Sequence, residues 1–137
     1  MPTTTAKITI SNDIASTPVS ATKTMYLYKE GSGTEGVDTM LSASKKLAST
    51  SAVDLVAYTA AGSATHNFLY INNPSTNAKE YFIISMGDTP SSDVEQIGRL
   101  YAGDWMMIPW AASSAAYDVF IKPNVATEMT VEYMILS

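Results

Sequence analysis

The stretch Ile97–Trp110, Ile-Gly-Arg-Leu-Tyr-Ala-Gly-Asp-Trp-Met-Met-Ile-Pro-Trp, constrains the fold more than any other part of the chain. Two short apolar runs meet at Ala102-Gly103-Asp104. Gly and Asp tolerate positive φ, as a tight turn between strands requires. The stretch therefore predicts a strand, a hairpin turn and a second strand. Pro109 lacks an N–H and ends the second strand or puts it at a sheet edge. Trp105 and Trp110, the two tryptophans of the protein, both lie here. Large aromatic side chains dominate cores and interfaces, so both are expected to act as core or intersubunit anchors.

The rest of the chain repeats the period-two theme. Residues 1–5 are polar and Thr-rich and read as a flexible arm. Ala6, Ile8 and Ile10 alternate with Lys7 and Thr9, the pattern of a half-buried strand. Residues 22–29 alternate again, with Met25 and Leu27 on one face and Thr24, Tyr26 and Tyr28 on the other. Residues 30–36 hold three glycines and form a loop. Residues 39–47 fit a strand or a short helix, and the neighbouring strands favour the strand. Residues 52–58 follow with Val53 and Leu55 inward. The runs at 68–71 and 81–84 are apolar on both faces, as in strands buried on both sides or against a neighbouring subunit. They are expected to form a hairpin through the loop at 72–79. Residues 117–121 and 130–136 alternate once more. Short strands separated by turn signals at this spacing predict an all-β chain. The expected architecture is a two-sheet antiparallel β-sandwich of jelly-roll type over 6–137, preceded by the arm 1–5.

Charge narrows the function classes. The net charge is −5, and a single arginine, Arg99, accompanies seven scattered lysines. Nucleic-acid binders neutralise phosphates with a basic stripe, and none is visible. Charged residues make up 15% of the chain, well under the usual quarter, which suits an assembly subunit or an extracellular β-module. No cysteine is present, so disulfides, thiolate nucleophiles and Cys-rich zinc sites are out. No apolar run approaches the ~20 residues of a membrane helix. The opening residues lack the basic and apolar regions of a signal peptide, so synthesis in the host cytoplasm is expected.

No catalytic constellation emerges. His66 is the one histidine, and no serine sits in a nucleophile elbow beside it. Asp88, Asp93 and Glu95 flank a polar loop but lack the spacing of a calcium loop. Thirteen acidic residues offer carboxylate pairs without selecting one. Gly31-Ser32-Gly33 lacks the Lys and the strand-to-helix context of a phosphate loop. The aromatic residues lie within expected strands, which points to packing before sugar stacking. No enzyme activity, metal or cofactor is expected.

Three segments together resemble a known class: Thr3 to Ser11, Gly98 to Trp110, and Val131 to Leu136. In this arrangement the chain resembles small virion structural proteins of tailed bacteriophages, including capsid decoration or cement proteins. The resemblance implies a non-enzymatic subunit that binds and stabilises the capsid shell at the virion surface. Its implied partners are the major capsid protein and sibling subunits, with a homotrimer by analogy. Contacts are expected from the arm 1–12 (with Pro2, Thr3, Thr4 and Thr5), from the loop 87–95 (with Asp88, Pro90 and Asp93), and from 111–116. The alternative is a tail or fibre component, or a carbohydrate-binding β-sandwich module, which predicts exposed aromatic residues.

Overall fold

A computed structural model describes residues 3–12, 19–61, 65–87 and 95–137. The described residues are nearly all β, with 59% of them in strands and every sheet they form antiparallel. It divides into two compact units, Met1–Asp38 and Thr39–Ser137. The division expected after residue 5 thus falls elsewhere, because Thr4 and Thr5 already belong to a strand.

The first unit is a two-stranded ribbon of β1 (Thr4–Asn12) and β2 (Val19–Leu27), paired from Thr4↔Leu27 to Asn12↔Val19. Thr9 and Thr22 hydroxyls lie 3.3 Å apart across it. Beyond β2 the chain turns back through the glycine-rich loop. There Lys29 N–H donates to Glu35 O at 2.9 Å and Val37 N–H to Leu27 O at 3.0 Å. Ser32 Oγ accepts from the N–H groups of Thr34 and Glu35, and Gly31 takes φ +71°.

The second unit is a sandwich of two four-stranded sheets. One has the order β3 (Met40–Leu47), β10 (Met129–Leu136), β5 (Asn67–Asn72), β8 (Trp105–Trp110). The other has the order β4 (Val53–Val56), β9 (Asp118–Pro123), β6 (Tyr81–Gly87), β7 (Gln96–Tyr101). Of residues 39–47, Met40–Leu47 are thus a strand and not a helix, as their neighbours suggested. The alternating residues of both sheets meet in one core. Leu69, Ile71, Val131 and Ile135 come from the first sheet, and Phe82, Ile84, Val119 and Ile121 from the second. A fully buried aliphatic or aromatic side chain of this kind contributes about 1.5–3 kcal/mol.

Two expected hairpins are corrected. The Ala102–Asp104 turn forms: Gly103 has φ +81°, and Asp104 N–H donates to Tyr101 O at 2.9 Å. However, β7 pairs with β6 and β8 pairs with β5, so the turn carries the chain from one sheet to the other. The segment 72–79 does the same between β5 and β6. Turn chemistry permits the local φ values but does not dictate whether the strands on either side pair with each other or cross the core. Buried Asn73 fixes the first corner. Its Nδ2 donates to Leu100 O at 3.0 Å, its N–H to Asp104 O at 3.0 Å, and its carbonyl accepts from Gly103 N–H at 2.9 Å.

Candidate functional site

Pleating sorts the ribbon into two unlike faces. One carries Thr4, Ala6, Ile8 and Ile10 from β1 and Ala21, Lys23, Met25 and Leu27 from β2. The other carries Thr5, Lys7, Thr9, Ser11, Ser20, Thr22, Thr24 and Tyr26. Leu27 at one end of the apolar face is buried, but Ile8 is 45% exposed, Ile10 59% and Met25 46%. Ala6, Ile8 and Ile10 do share a face, as their alternation predicts. The expectation of a half-buried strand fails because Ile8 and Ile10 face solvent. A two-stranded ribbon on its own is marginally stable in water, and this one has an apolar row left for a partner.

The ribbon is also electrically distinct. Lys7 and Lys23 are the only side chains of β1 and β2 charged at neutral pH, which leaves a net −7 for the rest of the chain. The pair thus offers apolar contact and positive charge without an acid to offset it. At about 3.4 Å per residue the paired strands extend roughly 30 Å, ample for reaching a neighbour.

The other expected contact residues are spread over the fold. Thr3 and Thr5 are exposed, while Thr4 is half-buried and its hydroxyl donates to Val37 O at 3.4 Å. Pro2, Asp88, Pro90 and Asp93 lie outside the described residues. Glu95 follows with φ +35°, and its carbonyl accepts from Met86 N–H at 3.4 Å. The loop 111–116 is only partly free for contacts, because Ala112 is buried in the core.

The two tryptophans separate. Trp110 is 1% exposed and its Nε1 donates to Tyr117 O at 2.7 Å, so it is a core anchor. Trp105 is 50% exposed on the outer face of the first sheet, with its ring centroid 6.1 Å from that of Tyr70. His66 is half-buried and edge-on to Phe68 at 5.0 Å. Among the described residues, no group of three or more His, Asp or Glu is placed to hold a metal ion. Nor is any helix long and apolar enough to cross a membrane.

No known protein family, curated protein or solved structure matches the chain. The sequence signal for the ribbon was its alternation, which names an apolar face without naming what covers it.

Proposed function

We propose that this chain is a non-enzymatic structural subunit of a tailed-bacteriophage virion, a capsid decoration (cement) protein that binds and stabilises the shell. The observation that carries this reading is the ribbon: an amphipathic, basic strand pair whose apolar row is half exposed. Burying what remains exposed of Ile8, Ile10 and Met25 contributes about 1 kcal/mol per side chain. That is weak singly and strong when many equivalent sites act together. Lys23, on the apolar face, favours an acidic partner surface, and a sibling copy of this net-acidic chain is one such surface.

The strand orders support the reading by analogy. Counting the eight sandwich strands in chain order, the sheets run 1-8-3-6 and 2-7-4-5. We read this as jelly-roll wrapping, an architecture that recurs in viral capsid and lectin domains. Fold alone does not assign function, and the ribbon supplies the specific contact. In this reading the ribbon reaches a sibling subunit or the shell, a homotrimer at a symmetry axis is the natural assembly, and the protein resides on the capsid surface.

The test is binding of the purified protein to particles stripped of it, measured by co-sedimentation. The wild type is expected to rebind and restore particle heat resistance. Ile8→Lys/Ile10→Lys is expected to stay folded and fail to bind. Equal binding by both would overturn the role of the ribbon.

A further inference from the structure

The outer face of the first sheet carries a second surface, independent of the ribbon. Register aligns Trp105, Asn72, Glu132 and Ser44 across its four strands, with Met107, Tyr70, Met134 and Ser42 in the adjacent row. Neighbouring strands lie about 4.8 Å apart, so each row spans about 14 Å, room for two or three sugar rings end to end.

The residue types along these rows are uneven in a useful way. Ser42 and Ser44 on the edge strand β3 are small. Tyr70, Met134 and Glu132 rise beside them, and the difference in height leaves an open hollow of about 440 Å³. Tyr70 lines the hollow, and beyond it the Trp105 ring lies at 34° to the Tyr70 ring with centroids 6.1 Å apart, Trp105 being half exposed. Between the rings and the serines sits Glu132. Asn72 Nδ2 donates to Glu132 Oε2 at 2.9 Å, which holds the carboxylate beside the hollow that Glu132 lines.

We propose that this face binds a neutral pyranose oligosaccharide. A pyranose ring has one apolar C–H face, which an exposed aromatic ring covers, and a rim of hydroxyls that need acceptors and donors. Trp105 and Tyr70 offer the first. Glu132 Oε1 accepts from ring hydroxyls, and Ser42 and Ser44 exchange hydrogen bonds with them. The Glu132 carboxylate repels sialylated or uronic sugars, so the ligand is neutral. The strand location of Trp105 does not count against this, because at its register position the side chain points outward.

Two tryptophans in opposite environments give the experiment its internal reference. The full-length protein carries two indole N–H signals, from Trp105 and from buried Trp110. The uniformly ¹⁵N-labelled protein is titrated with maltotriose, cellotriose, chitotriose and sialyllactose at millimolar concentrations. At least one neutral trisaccharide is expected to shift the Trp105 indole signal saturably while Trp110 stays fixed, and sialyllactose is expected to do nothing. Trp105→Ala and Glu132→Ala should each weaken that binding at least ten-fold, read from backbone amides of β5 and β10. Absence of any saturable shift with all three neutral sugars would overturn the proposal. So would a Trp105 signal that moves with protein concentration alone, which would make this face a contact between copies. Sugar binding and particle binding are separately measured, so failure of either leaves the other reading standing.

Discussion

Asn73 Nδ2 donates to Leu100 O at 3.0 Å, tying the end of β5 in one sheet to β7 in the other. The side chain is fully buried, and its backbone closes the same corner through Gly103 and Asp104. Asn73→Ala strands the Leu100 carbonyl in the interior. An unsatisfied buried group costs about 1–3 kcal/mol, so urea unfolding should show a loss of that size with an unchanged slope.

Gly103 sits in the same corner at φ +81°, with open space where a Cβ would stand. The penalty for Gly103→Ala is therefore conformational and not steric crowding. It should cost about 1 kcal/mol, and Gly103→Asn, which accepts this region better, should cost less. Thermal melts of the two variants side by side check the order.

The tryptophans should differ sharply in what their loss does. Trp110→Ala removes a buried ring from the core together with its hydrogen bond to Tyr117 O, at a cost of about 3–5 kcal/mol. Trp105→Ala, on the outer face, should change stability by no more than about 0.5 kcal/mol. Chemical denaturation followed by far-ultraviolet dichroism distinguishes them without relying on tryptophan emission.

Lys29 and Lys46 report on pH. Lys29 Nζ donates to Asp38 Oδ2 at 2.6 Å and Lys46 Nζ to Glu128 Oε1 at 2.8 Å, which raises both lysine pKa values above the ordinary 10.5. A raised lysine pKa stabilises the folded state fully below 10.5, and that stability disappears as pH climbs through the higher folded value. Both pairs are solvent-exposed, so the effect is small and screened by salt. Stability measured from neutral to strongly alkaline pH should fall only on the alkaline limb, and Lys46→Met should flatten that fall.

How much of this was legible in the sequence depends on which question is asked. Strand positions followed from alternation, since an apolar residue at every second place has one buried face to fill. Strand pairing did not. Gly103-Asp104 has the chemistry of a hairpin turn, and the same chemistry serves a corner that crosses between sheets. Ile8 and Ile10 pose a similar problem. Their spacing specifies an apolar face, but a sequence does not show which strand pairs with theirs or how much of that face stays exposed. Trp105 and Trp110 read alike on the page, five residues apart in one segment. Five is odd, so in a regular strand they point to opposite faces, and that parity was the available signal for separating the surface ring from the core ring.

The most direct test of the central claim is the copy number of this protein in purified virions from its source, measured by quantitative peptide mass spectrometry. Hundreds of copies in fixed ratio to the major shell protein are expected. A handful per particle would contradict the decoration role in favour of a tail or fibre position, and absence from particles would contradict the virion assignment altogether.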